Sequence, residues 1–491
     1  MRNQEIFVSL DIGTTSIKVV VAEYINGRVN IIGVGNEKSR GLSRGVIVDI
    51  DETVYSIQKA VAQAERKAGV KINEVVVGVP SNQLAIEECH GMIAVASDNR
   101  EITDRDVDNV ISAAKVRSVP PEREIISLIP EEFIVDGFNG IRDPRGMIGV
   151  RLELYARLIT GPKTIIHNIR RCVQKAGLYI TDLILQPQAI AQVALDRDER
   201  EFGTVVIDMG GGQTSASIIY DNQLKYSFVD QEGGDFVTKD ISIILNTSLV
   251  SAERIKREYG YAIASQTSEE EYFPVETVGK KEPVRVDEHY LAEIIEARLA
   301  QIFETIREDL SRVDALDLPG GFILTGGGSA LPGVLELAKR YFGGKARLFV
   351  PEEMGMRNPI YTTSLGMIEY VSQLDDIHRI AQGNFQAPMQ ERMERSIRGG
   401  RPGQNQITPP PLKPEYQREY VEPVNNSSYA PQSQYEDTFD QYDYDQGYDD
   451  QVFYDDDVYE QASPEVSNKP KKVSGNNITE KVRSFFDTFF D

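Results

Sequence analysis

Two short segments of this 491-residue chain carry the same phosphate-loop chemistry: Asp11-Ile12-Gly13-Thr14-Thr15, and again Asp208-Met209-Gly210-Gly211-Gly212-Gln213-Thr214. Glycine lets the backbone come within hydrogen-bonding distance of an anion, and successive N–H groups form a concave nest for phosphate oxygens. The threonine hydroxyls add donors. Asp11 and Asp208 would repel phosphate directly, so a carboxylate in each loop points to Mg²⁺ between them, held through its waters. A lone Asp-x-Gly-Thr is an ordinary turn signal. Two in register imply two matching lobes around one nucleotide.

The flanking elements repeat as well. Each loop ends an apolar strand run (Ile6 to Leu10, Thr204 to Ile207) and precedes a second (Val19 to Tyr24, Ala216 to Tyr220). Asn26-Gly27 and Asp221-Asn222 then suit hairpin turns that need positive φ, with third strands near Val29 and Gln223. A third element, Phe322 to Gly333, reads as an apolar strand, the glycine turn Gly326-Gly327-Gly328-Ser329, and a helix opening at Pro332. Three consecutive glycines leave room for a flat purine and its ribose. No G-x-x-x-x-G-K-[ST] run occurs, and no G-x-G-x-x-G opens a helix after a strand, which excludes P-loop and Rossmann sites.

These three motifs in this order resemble the actin, Hsp70 and hexokinase superfamily, and within it the FtsA family of bacterial cell-division actin homologues. The resemblance covers roughly Glu5 to Ser372 and includes the segments at Leu183 to Leu195 and Glu232 to Ser242. It implies an α/β, actin-like two-lobed ATPase fold binding ATP and Mg²⁺. Asp11 and Asp208 would hold the metal, and Lys18 would touch the β- or γ-phosphate. Lys239, Glu253 and Lys256 would frame the ribose and base, and Gly233 would also contact the nucleotide. Gln186 would orient an attacking water.

Composition divides the chain further. At this length several domains are expected. The pattern changes near Leu374, after which Pro, Gln, Asn, Asp and Tyr dominate; such a segment cannot offset chain entropy of ~1–2 kcal/mol per residue. With the resemblance, this gives residues 1–83 and 161–194 as a first lobe and 84–160 as an inserted α+β subdomain. Residues 195–230 and 311–374 form the second lobe, and 231–310 a lobe inserted in it. Residues 375–476 read as a disordered acidic linker, and 477–491 as a terminal helix. The net charge of −23 argues against nucleic acid as a partner. Part of that charge lies in Tyr435 to Glu460, which holds eleven acidic residues, six tyrosines and no Lys or Arg. Two cysteines and four histidines indicate neither a disulfide scaffold nor a zinc site. Cys89 and His90 would point to opposite faces of a strand. With neither signal segment nor apolar span, the expected location is the cytoplasm, on the inner membrane surface.

The subdomain from Leu84 to Thr160 is expected to hold strands at Met92 to Ala96, Glu124 to Phe133 and Val150 to Ile159, with a helix from Thr103 to Arg117. By resemblance it contacts the next protomer of a filament and later division proteins. In the lobe from Gln231 to Leu310, a helix beginning near Asp287 buries Leu291, Ile294, Ile295, Leu299, Ile302, Phe303, Ile306 and Leu310. By resemblance this lobe receives the C-terminal tail of the tubulin homologue FtsZ, with Arg298 and, more weakly, Arg285 on that surface.

At the terminus Ile478, Val482, Phe485, Phe486, Phe489 and Phe490 form one helical stripe. Following a long polar linker, it reads as a membrane-surface helix. Four half-inserted Phe rings supply roughly 3–6 kcal/mol before ordering costs, millimolar binding at best. Attachment would therefore depend on many helices on one polymer. The resulting function is an ATP-binding, actin-like division protein that polymerises on the membrane and tethers the FtsZ ring. A sugar kinase of the same superfamily is the alternative, but it needs a carboxylate base where this chain has Gln186. A type IV pilus assembly protein of similar core is a third possibility, against which the acidic linker and its helix argue.

Overall fold

The structure, a computed structural model, describes residues 5–25, 28–96, 99–116 and 119–386. The 15-residue terminal stripe, the Tyr- and Asp-rich segment and the Asn26-Gly27 turn lie outside the described residues.

Two five-stranded sheets share one topology. In the first, Arg28–Lys38, Ser16–Ile25 and Glu5–Ile12 form an antiparallel meander, and Glu74–Val79 and Tyr179–Leu185 extend it in parallel beyond Glu5–Ile12. In the second, Gln223–Asp230, Thr214–Tyr220 and Thr204–Met209 form the meander, and Phe322–Thr325 and Ala346–Leu348 extend it. The sequence repeat is therefore a structural repeat. Asp221 and Asn222 adopt φ of 51° and 58°, the paired positive values of a type I′ hairpin.

The central strand Ser16–Ile25 is apolar and fully buried through Val19, Val20, Val21 and Ala22 because both faces of the sheet are covered. Ile17, Val19 and Val21 face the helix Ile50–Ala68, whereas Val20 and Ala22 face the helix Thr362–Ser372. The first helix is capped by Asp49, which accepts from the Asp51 and Glu52 N–H groups, and ends at Gly69 with φ 71°, the common glycine stop. It sits close to the sheet: a Cβ at Gly33 would lie 2.7 Å from Ala64 O.

The inserted subdomain has its own four-stranded sheet, in the order Ala85–Ala94, Arg151–Pro162, Arg123–Val135, Phe138–Ile141. Its first strand starts seven residues before the expected Met92, because Glu87, Glu88 and His90 face solvent and mask the apolar alternation. Cys89 is buried and His90 exposed, on opposite faces as expected. The helix runs Asp104–Ala114, capped by a reciprocal Thr103–Asp106 box. A further helix, Asp376–Gln386, corrects the linker boundary. Ile377 and Ala381 are buried in the subdomain's core beside Val107, Val110 and Ile111, so order extends past Leu374.

In the second lobe the long helix Glu288–Arg312, N-capped by Asp287, buries the whole expected stripe. From this helix Phe303 meets Phe342 edge-on, and Phe342 stacks on Phe322 with centroids 4.9 Å apart. The helix expected to open at Pro332 instead runs Val334–Phe342. Gly333 has φ 82°, a left-handed backbone that an α-helix cannot contain.

Candidate functional site

Gly13 to Thr15 and Gly210 to Gln213 are the turns between equivalent strand pairs, so the repeat brings both loops to one cleft. A Cβ at Gly13 would lie 2.8 Å from Ser16 O, and one at Gly212 2.6 Å from Thr14 Cγ2. Gly13 thus closes tightly on its own hairpin, while Gly211 and Gly212 of the second loop pack against Thr15 and Thr14 of the first. Their cleft is a cavity of about 1200 Å³. Every residue that the sequence reading assigned to nucleotide or metal lines it, except Ser329. That residue is buried, and its Oγ donates to Gly326 O at 2.7 Å; its hydroxyl closes its own turn. Gly327 does open onto the cavity, where an added Cβ would meet only Ile360 Cγ2, at 3.2 Å.

Asp11 and Asp208 hold equivalent register positions, opposite Lys18 and Ser215 respectively. Lys18 Nζ donates to Asp11 Oδ2 at 3.0 Å in a pair that is almost wholly buried. Among the described residues Asp208 has no such partner. Burial foremost, and then the Asp11 carboxylate, push its pKa up to about 6, with Lys18 opposing. Gly326, at φ 87°, packs against the Asp208 carboxylate where any Cβ would collide. Gln186 opens a helix at the end of Tyr179–Leu185, and its Nε2 donates to Asp11 Oδ1 at 3.2 Å. Among the described residues no group of three or more His, Cys, Asp or Glu could hold a metal. A carboxylate pair fits Mg²⁺, which keeps several waters and takes phosphate oxygens as further ligands.

Several expected residues are committed to the protein itself. Thr214 Oγ1 donates to Glu232 O at 2.9 Å, and Gln213 Oε1 accepts from Asn82 Nδ2 at 2.9 Å. Gly234, the first residue of the helix Gly234–Ile244, donates its N–H to Gly210 O at 3.0 Å, so this helix start braces the second loop. Lys256 Nζ donates to Gly234 O at 2.8 Å and pairs with Glu253 Oε2 at 2.7 Å. Burial would raise the Glu253 pKa, but Lys256, Thr238 and Arg257 hold it below the ordinary value. Lys239 is exposed on the cavity rim. Sequence reasoning missed Arg44, Phe236 and Ile360, which also line the cavity; the Arg44 guanidinium stacks 5.4 Å above the Phe236 ring. The sequence signal for the Arg44 segment is the pair Gly41 and Gly45, which the structure places at φ of 75° and 74° in a tight loop.

Arg298, expected on the partner surface, is engaged within its own lobe. Its Nε donates to Asp240 Oδ2 at 2.6 Å, and its Nη1 to Glu232 Oε2 at 2.8 Å; it is a brace within the lobe. Arg285 is exposed on the strand Val284–Asp287, over the Tyr272 ring at 4.7 Å.

A family model described as "Cell division protein FtsA" matches residues 205–366, and one described as "SHS2 domain inserted in FTSA" matches residues 81–160. The chain is 57% identical over 382 residues to the cell division protein FtsA of Enterococcus faecalis, covering 78% of this chain and 87% of that protein. The chain belongs to the FtsA family of cell-division proteins. Identity to the FtsA of Streptococcus pneumoniae is 50% over 383 residues, 78% of this chain and 84% of that one. Among solved structures, the PilM-PilN type IV pilus biogenesis complex matches with a TM-score of 0.52 at 15% identity, covering 76% of this chain and 100% of that one. That likeness concerns the fold alone. FtsA membership sets aside the sugar-kinase and pilus-assembly alternatives, and the inserted subdomain at 84–160 corresponds to the SHS2 match.

Proposed function

We propose that this FtsA-family protein binds ATP with Mg²⁺ between its two phosphate loops and polymerises at the cytoplasmic face of the membrane. There it tethers the FtsZ ring and, through the inserted subdomain, helps recruit later septum-assembly proteins. The observation that carries the nucleotide reading is the facing pair Asp11 and Asp208, of which only the first has a lysine. Asp208 thereby favours an added cation. Lys18 and the glycine N–H groups of both loops would take phosphate oxygens, and Gly327 would lie against the base. Gln186, already bound to Asp11, retains an amide oxygen to accept from water, which supports slow hydrolysis and no transfer to a sugar.

The FtsZ tail would dock on the lobe around the exposed Arg285, and the terminal stripe of four Phe would enter lipid. Calorimetric titration of the full chain with ATP, with and without Mg²⁺, tests the core of the proposal. Binding that requires Mg²⁺ is expected; no binding in either condition would refute it.

A further inference from the structure

The inserted subdomain leaves the first lobe and returns to it, yet the second lobe holds it at two points. The first is a seam on its sheet. Arg157, only 8% exposed, donates from Nε to Glu131 Oε1 at 2.6 Å and to Gln223 Oε1 at 3.0 Å. Gln223 begins the edge strand of the second lobe's sheet, and Lys225 follows on it. Lys225 is likewise 8% exposed; its Nζ donates to Gln223 Oε1 at 3.0 Å and lies 3.8 Å from Glu131 Oε1. Burial, and next Arg157, hold the Lys225 pKa below its ordinary value. Glu131 is joined by Glu88, whose Oε1 accepts from Arg157 Nη2 at 3.3 Å; buried cations held this way are costly unless every partner stays in place, so this seam is specific in position.

The second point is the neck. Gln213, in the second phosphate loop, binds Asn82, where the chain departs for the subdomain. The next residue, Gln83, has φ 52°, and its carbonyl accepts from Arg123 Nη2 at 2.9 Å. Arg123 Nη2 also donates to Thr160 O at 2.8 Å, on the returning strand. One side chain therefore joins both strands of the neck, and a phosphate loop touches the neck directly.

We infer that these two contacts gear the inserted subdomain to the second lobe, so that a nucleotide locking the phosphate loops against each other fixes the subdomain's angle on its neck. The first lobe supplies the covalent pivot and the Arg157 seam the lever. Such coupling needs an element that two sites both bias; here it is the subdomain's orientation. The inference rests on the nucleotide reading above.

Hydrogen–deuterium exchange on the full chain, with and without Mg·ATP, tests it in wild type, Arg157→Met and Asn82→Ala. Neither substituted residue lines the nucleotide cavity. In wild type, Mg·ATP should slow exchange in both phosphate loops and, by about tenfold, in the strands 85–94 and 151–162. Both variants should keep the loop protection and lose most of the strand protection. Circular dichroism melting shows whether Arg157→Met folds; if it does not, Asn82→Ala decides alone. Strand protection retained in a folded variant, or missing from a wild type whose loops are protected, overturns the gearing. Loops left unprotected in wild type overturn the nucleotide reading, and the gearing with it.

Discussion

Lys18 neutralises Asp11 across the first hairpin, Nζ to Oδ2 at 3.0 Å, while the residue registered with Asp208 in the second hairpin is Ser215. A duplicated site thus carries its positive charge on one side only, and an added cation would complete it.

This asymmetry sets a pH dependence. The folded-state pKa of Asp208 is about 6, against about 4 for an ordinary aspartate, so between these values the folded state binds more protons than the unfolded one. Its contribution to stability therefore falls as pH rises through that window. Allowing for water in the cleft, the loss is on the order of 1–2 kcal/mol. Without divalent cation, Asp208→Asn should remove this part of the pH dependence and raise stability at pH 7, read by urea unfolding from pH 4 to 8. Mg²⁺ should stabilise wild type at pH 7 much more than at pH 5, and stabilise the variant little.

Neighbouring glycines should behave in opposite ways. A side chain at Gly327 points into the cavity and meets only Ile360, so Gly327→Val should fold normally and lose about 100-fold or more in ATP affinity, some 3 kcal/mol. Gly326→Ala forces a Cβ onto the Asp208 carboxylate at φ 87° and should lower the melting temperature itself. Thermal melting beside ATP titration separates the two; unchanged ATP affinity in Gly327→Val would remove the base from that turn.

The Arg298 network changes what a charge reversal means. Arg298→Glu would set a carboxylate against Asp240 and Glu232 in a half-buried position, at a cost of about 2–4 kcal/mol. Weakened FtsZ-tail binding in that variant would therefore report damage to the lobe. Arg285→Glu, on an exposed strand, should leave urea unfolding unchanged and weaken binding of an FtsZ C-terminal peptide. Equal peptide affinity in Arg285→Glu would exclude that residue from the docking surface.

The helix Asp376–Gln386 should be part of the folded body. Ala381→Asp places a charge in the core of the inserted subdomain, where Ala381 has no exposure, and a buried unpaired charge is severely unfavourable. Limited proteolysis should then cut within 376–386 and in the subdomain, sites protected in wild type. An unchanged digestion pattern would mean that this helix does not dock.

What was legible in the sequence follows from how local the signal is. The paired loops, the Asp221-Asn222 turn and the Leu291 to Leu310 stripe rest on near neighbours in the chain, and the structure has them where expected. The helix 376–386 was missed because Ile377, Ile380 and Ala381 are too few to mark a stripe; their meaning comes from a core built by residues far away in sequence. Ser329 and Arg298 have suitable chemistry, but their partners, Gly326 O and Asp240, are chosen by backbone geometry and tertiary packing. Gly333 shows how one left-handed residue moves a helix start past a proline that would suit it.

The central claim joins nucleotide, polymer and membrane, and liposome pelleting across a range of protein concentrations, with and without Mg·ATP, tests all three at once. The account predicts that the full chain pellets steeply above a threshold concentration and more so with ATP. Phe486→Asp, and a variant ending at Gly475, should stay in solution while still binding ATP. Tight pelleting by either variant, or pelleting of wild type that is linear in concentration and indifferent to ATP, would contradict it.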